Sequence, residues 1–372
     1  MSDVSSSPSA GSSIPQDDFE KITALVTAEF RVEEALKESD VPTYYLKQPQ
    51  ETKQAFLRLL KNLERVNRIA LLRRSGERVV LKVAPKPPVK PSNTLVNWVL
   101  FLATIATTFY TGYLLSDELV KRGAMPDPIV GGVAFTVAIM AVLGMHEMGH
   151  KLTANKRGID ATLPYFIPGP PLAYGGFGTF GAVILQKSLP PNRDALFDVG
   201  ASGPIVGFIL ALIASIVGLA ISPVYPITGP MESMPAPLFF DLFVMFVLHL
   251  PADHYILLHP IAFAGWVGMI VTMLNILPAA MLDGGHVARA IFGRRTRLVL
   301  SGLSFLMLIA GGFISMAFFV LFLSLFPHPG PLDDVSGLSI KRKLLTGLLV
   351  VILVLCSFIH YLVFDLLALL GL

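Results

Sequence analysis

LGMHEMGHKL, residues 143–152, sets two histidines and a glutamate inside a run that otherwise has the composition of a membrane-spanning helix. Ionisable side chains in an apolar span cost a few kcal/mol each on insertion scales, so three together persist only where they are paired, hydrated or bound to an ion. On a helix, His146 and His150 stand one turn apart on one face, and Glu147 follows the first histidine. The H-E-x-x-H pattern therefore offers two imidazoles to one metal, with a non-ligating carboxylate beside the open position to take a proton from an attacking water. Chance produces the pattern in on the order of one such chain in a hundred. In a soluble helix its histidines would be surface residues, and membrane burial favours the metal. Histidine ligands with a hard carboxylate point to one Zn2+ per chain rather than copper or calcium.

Working outward, the whole chain fits a membrane protein. Of its 372 residues 53% are hydrophobic and 15% charged, and the mean hydropathy is +0.65; soluble domains hold roughly 25% charged residues. A net charge of +3 gives no reason to expect a nucleic-acid partner. The single cysteine, Cys356, excludes an intrachain disulfide and a cysteine-clustered zinc site. Residues 1–16 are polar and read as a disordered tail without an apolar signal or arginine-rich transit segment.

Residues 17–83 have the composition of a small soluble α/β domain. ETKQAFLRLLKNLERV places Phe56, Leu57, Leu60 and Leu63 on one helical stripe, and RIALLRRSGERVVLKVAP reads as a hairpin about Ser75-Gly76. Residues 84–94 form a proline-rich linker, and 95–372 the transmembrane region. About six segments are long enough to cross, near 95–116, 129–151, 199–222, 256–281, 298–326 and 344–370. Residues 163–186 are broken by proline and glycine and look re-entrant, whereas 239–250 is short and looks interfacial.

Lysine and arginine before the first span, after the second (Lys151, Lys156, Arg157) and after the fourth (Arg289, Arg294, Arg295, Arg297) predict that these parts, including the N-terminal domain, are cytoplasmic. The KRK at 341–343 falls on the outer side in this scheme and counts against it. The expected location is a cell membrane of a prokaryote, as a multi-pass protein.

A catalytic zinc takes three protein ligands and one open position. NILPAAMLDGGH, residues 275–286, supplies Asp283 and His286 at the same membrane level as HEMGH, and spacing alone does not choose between them. Asn275 and Pro278 mark local helix unwinding there, and Gly284 and Gly285 would let the backbone turn close to the metal. AYGGFGTFGAVI, residues 173–184, is β-prone and glycine-dense; it could offer a strand edge to an extended substrate, or could merely plug the bundle. SGPIVGF, 202–208, suits close helix packing. A second metal site at His249, Asp253, His254 and His259 has no ligand spacing in its favour, and Asp241 and Asp365 are expected at interfaces or against partners.

With HEMGH on one span and LDGG on a later one, the chain resembles the site-2 protease family of intramembrane zinc metalloproteases (peptidase M50-like). LPYFIPGPP, GTFGAV, ASGPIVGF and NILPAAMLDGGHVARAIFG are most similar to the branch with the chloroplast EGY-type and archaeal proteases. The resemblance covers roughly 95–345. It implies His146, His150 and Asp283 as zinc ligands, Glu147 as general base, and His286 as a neighbour. Asn275, His286 and Gly178 are then expected to position the site or the substrate, and the 173–184 segment to hold the peptide as a strand.

The resulting expectation is a zinc metalloendopeptidase that cuts transmembrane protein substrates within or near the bilayer, in regulated intramembrane proteolysis. A metal-dependent transporter or channel is the competing class; it usually has repeated halves, which the sequence lacks, and it has no use for Glu147.

Overall fold

The computed structural model describes residues 16–88, 91–230, 234–251, 253–326, 328–358 and 361. Two compact units emerge: the described N-terminal residues together with Pro331–Gly337, and the remainder from residue 91. Of the expected tail only Gln16 is described, and Asp365 lies outside the described residues.

The first unit runs α1 (Gln16–Glu29), β1 (Val32–Glu38), β2 (Val41–Leu46), α2 (Lys53–Glu64), β3 (Arg68–Ser75) and β4 (Arg78–Pro85), with sheet order β1-β2-β4-β3, all antiparallel. Alternate residues Val79, Leu81 and Val83 of β4 turn inward with Ala70, Leu72 and Tyr44, and all are fully buried. Ile22 and Val26 of α1 are also buried. On α2 the buried stripe is Ala55, Phe56, Leu59 and Leu63. Leu57 and Leu60 were expected there, but they flank it, because an i, i+3, i+7 face centres on Leu59. The hairpin expected about Ser75-Gly76 forms, with Gly76 in the left-handed region at φ +60°. From far along the chain, Leu332 accepts from Leu72 N–H (2.9 Å) and Asp334 N–H donates to Leu72 (3.1 Å), so Pro331–Gly337 closes the outer edge of β3.

The second unit is helical: α3 (Thr94–Lys121), α4 (Pro128–Lys156), α5 (Arg193–Ala220), α6 (Leu238–Phe243), α7 (Pro260–Ile276), α8 (Asp283–Ile291), α9 (Arg294–Ala310), α10 (Ile314–Ser324) and α11 (Ile340–Cys356). Among the described residues three helices, α3, α4 and α5, are long and apolar enough to cross a membrane. Where a water-driven hydrophobic force between helices is absent, close packing holds the bundle, and small residues permit it. Gly112 of α3 meets Gly131 and Gly132 of α4; Gly218 and Gly265 sit where α5 and α7 cross, against Ala262 and Ser215. α7 has only 17 residues and is buried along nearly its whole length, shorter than the expected 256–281.

Two features depart from the expected spans. Residues 298–326 do not form one helix: α9 and α10 are separated by Gly311-Gly312, where Gly312 at φ +78° reverses the chain. Arg342 binds Asp198 with two bonds (2.6 and 2.7 Å) and Asp194 with one (3.0 Å), and Arg157 also bonds Asp198. The KRK segment therefore lies at the same end of the unit as Arg157. The short 239–250 segment is α6 continued by a π-helical turn, Val244–Leu248.

Candidate metal centre

α4 carries His146, Glu147 and His150 in its interior, at 3%, 7% and 5% exposure. Asp283 opens α8, and its Oδ2 lies 3.1 Å from both His146 Nε2 and His150 Nε2, which are 3.2 Å from each other. Tetrahedral zinc with bonds near 2.0–2.1 Å places its ligand atoms about 3.3 Å apart. The triangle matches that spacing.

Its chemistry fits as well. His150 Nδ1 lies 2.7 Å from the Val199 carbonyl, which can only accept, so the proton is on Nδ1 and the lone pair of a neutral ring is on Nε2. That lone pair faces a carboxylate oxygen. Two acceptors are held at such a distance by a cation or a shared proton, and with His146 as third corner a cation satisfies all three edges. Among the described residues these are the three side chains whose ligand atoms converge.

Helix α5 makes room for the two rings. A Cβ at Gly203 would collide with the His150 imidazole, and one at Gly207 would come 2.6 Å from His146 Nδ1. Gly200 lies under α8, where a Cβ would sit 2.9 Å from the Asp283 carbonyl and His286 Cβ. The glycines of the DGG turn serve a different contact from the one expected. They let the first turn of α8 pass close to the Ile276, Leu277, Ala279 and Ala280 carbonyls at the end of α7.

Residues 163–186 form a hairpin, β5 (Tyr165–Pro168) against β6 (Thr179–Val183). Beyond β6, Leu185 C=O accepts from Thr162 N–H and Leu185 N–H donates to Thr162 Oγ1, so odd-numbered residues here face the β5 side. By alternation, Ile184 and Ala182 turn their backbone groups to the other edge, which no strand occupies among the described residues. On that edge Ile184 N–H donates to Glu147 Oε2 (2.9 Å), while Glu147 Oε1 lies 4.0 Å from His146 Nε2. The edge, Glu147 and the triangle line one cavity of about 1010 Å³, whose opposite wall includes Phe313, Met316 and Phe319 at the start of α10.

Asn275 Nδ2 is 3.5 Å from His146 Nε2. His286 lines the cavity but stands outside the triangle, bonded to His328. Gly178, at φ +79°, is not on the open edge: its N–H donates to Pro170 and its carbonyl accepts from Thr107 Oγ1, which seats the hairpin on α3. His249, Asp253, His254 and His259 do not assemble; His254 bonds Asp253, and His259 caps α7. The sequence reading missed the Val199 carbonyl, the Ile184 amide and the α10 wall. The glycines at 200, 203 and 207 were legible as one face of a helix, with packing as their only assigned role.

Residues 134–321, just over half the chain, match the sequence profile described as Peptidase family M50. The probable zinc metalloprotease EGY1, chloroplastic, of Arabidopsis thaliana is 29% identical over 317 residues, 76% of this chain and 57% of the relative. EGY2 of the same plant, under the same description, is 29% identical over 274 residues, 70% of this chain and 48% of the relative. The probable zinc metallopeptidase EGY3, chloroplastic, also of Arabidopsis thaliana, is 30% identical over 234 residues, 58% and 40% of the two chains. The chain thus spans about half the length of the relatives it matches. No solved structure matches it.

Proposed function

The chain belongs to peptidase family M50, and from that premise we propose that it is an intramembrane zinc metalloprotease that hydrolyses peptide bonds within or near the spans of membrane-protein substrates. The observation that carries the reading is the His146–His150–Asp283 triangle, with Glu147 beside it and not part of it. His146 and His150 would hold the metal through Nε2 and Asp283 through a carboxylate oxygen. Zinc, when bound, supplies Lewis acidity, which polarises a carbonyl and makes water a stronger acid. Glu147, with one oxygen anchored by the Ile184 amide, takes the water's proton on the other and passes it to the leaving nitrogen. Asn275, beside His146, orients the reacting carbonyl.

A peptide bond inside a helix is shielded by its own turn and must unwind before it can be cut. In lipid each freed amide costs several kcal/mol unless a partner satisfies it. The free edge of β6 supplies that partner through Ala182, beside the metal site.

In the membrane, α3, α4, α5, α7 and α11 cross, and α9–α10 enters and returns, which replaces the expected fifth span with a hairpin. The unit ends marked by Arg157, Arg294 and Arg342 are then cytoplasmic, as is the N-terminal unit. The relatives' names place them in chloroplasts; a prokaryotic cell membrane is the location proposed for this chain, and cell fractionation tests it.

The activity is tested by incubating purified full-length protein in liposomes with a panel of single-span membrane proteins, with and without a zinc chelator. Mass spectrometry should find chelator-sensitive fragments cut in the half of the span nearest the triangle. Chelator-resistant cleavage, or none across the panel, rejects the assignment.

A further inference from the structure

One polar group in the cavity has no part in the reaction as derived above. His286 stands one turn along α8 from Asp283 and lines the cavity, and its Nδ1 lies 2.8 Å from Nε2 of His328, the rings meeting edge to face. The Gly330 backbone N–H donates to His328 Nδ1 at 3.0 Å.

A backbone amide can only donate, so His328 Nδ1 is an acceptor, and the proton of the ring is on Nε2. That N–H must donate to His286, whose Nδ1 is therefore also an acceptor. His286 then carries its single proton on Nε2, the remaining polar corner of the ring. One main-chain bond thus sets the direction of the whole series, Gly330 to His328 to His286. An Nε2 that bears hydrogen cannot ligate a metal, which agrees with the place of His286 outside the triangle.

We propose that His328 is a positioning residue: it locks His286 in the tautomer that presents Nε2–H to the carbonyl oxygen of the peptide bond at the metal centre. The inference rests on the protease reading. The donor is useful there because negative charge builds on that oxygen during attack, and a preoriented donor in a site shielded from water stabilises the charge without reorganising. His328 touches no substrate; it fixes which corner of His286 carries the hydrogen.

The test uses zinc-loaded full-length protein in lipid nanodiscs, labelled with 15N at histidine. Solid-state NMR distinguishes protonated from bare ring nitrogens, and signals are assigned by their loss in His286→Phe and His328→Phe. Both rings should be neutral with the proton on Nε2, and His328→Phe should leave His286 as a mixture of tautomers. On a cleaved substrate, His328→Phe should lower kcat about tenfold with KM and zinc content unchanged, in the range typical for a group that orients a site residue. His328→Gln, whose amide can still donate to His286, should recover most of that loss. The proposal is overturned by a proton on His286 Nδ1 in the unaltered protein, by unchanged kcat in His328→Phe, or by a Gln variant no better than Phe. A wild-type protein that cleaves nothing would overturn the protease reading instead, and the spectra would still decide whether His328 sets His286.

Discussion

The hairpins β3–β4 and β5–β6 use the same backbone chemistry to opposite ends. β4 lies between β3 and β2, and the outer edge of β3 is closed by Leu332 and Asp334, so the ladder in the first unit is complete on that side. Among the described residues β6 has a partner on one edge only, and the other edge faces a cavity lined by His146, Glu147, His150 and Asp283. An open row of amides and carbonyls is a template for another strand. The first hairpin removes that template by borrowing a segment some 260 residues away. The second keeps it beside the His146–His150–Asp283 triangle and lets Glu147 occupy one donor. The difference separates a ladder that the chain itself closes from one that it leaves with a free edge.

The comparison can be broken most severely at the donor that Glu147 occupies. Glu147→Gln should retain zinc near one per chain and lose cleavage by a factor of about 10²–10⁴, the worth of general base catalysis. Wild-type turnover in that variant would return the β6 edge to a purely structural role. Metal content by mass spectrometry separates this variant from the next.

Asp283→Asn should lower bound zinc as well as activity, because an amide is a poor substitute for a charged ligand. His286→Phe should retain zinc and lose roughly tenfold to a hundredfold in rate, as expected for a neighbour of the ligands. Zinc lost from the histidine variant and kept by the aspartate variant would exchange the two roles.

The open edge itself is tested by Ala182→Pro, which deletes a donor on the side away from β5. Cleavage should fall about tenfold with zinc unchanged, since one ladder bond contributes roughly 1 kcal/mol or somewhat more in apolar surroundings. Val183→Pro faces the β5 side and should damage the hairpin as a whole. Equal effects of the two substitutions would mean that the segment only plugs the bundle.

The smallest effect is expected in the closed hairpin. Gly76→Ala puts a Cβ on a left-handed residue with open space around it, so only backbone strain of about 1 kcal/mol is expected. Hydrogen exchange at β3–β4 amides should quicken while zinc content and cleavage stay constant.

Much of the site was legible because its information is local. HEMGH is a helix-face pattern, and burial of its three ionisable groups follows from the apolar sequence around them. The β3–β4 hairpin follows from two β-rich runs and Gly76. The α2 stripe was misplaced by one position at its centre, since several leucines in one helix satisfy more than one face. The break at Gly311-Gly312 was missed because the apolar run continues through it, and hydropathy does not sense chain reversal. The KRK conflict marked that error without locating it.

The sequence by itself determined a membrane protein, a two-histidine pair one turn apart with a carboxylate that stands beside it, and a glycine-rich segment capable of a strand. Composition and periodicity act within a few residues, and these features need no more. Spacing had left Asp283 and His286 equal and the family resemblance pointed to Asp283; the tertiary structure added the geometry, in which Asp283 Oδ2 reaches imidazoles 137 and 133 residues away while His286 turns to His328. It also decided which β edge stays open and which amide Glu147 binds, because a ladder is completed or left free by whatever strand the rest of the chain brings to it.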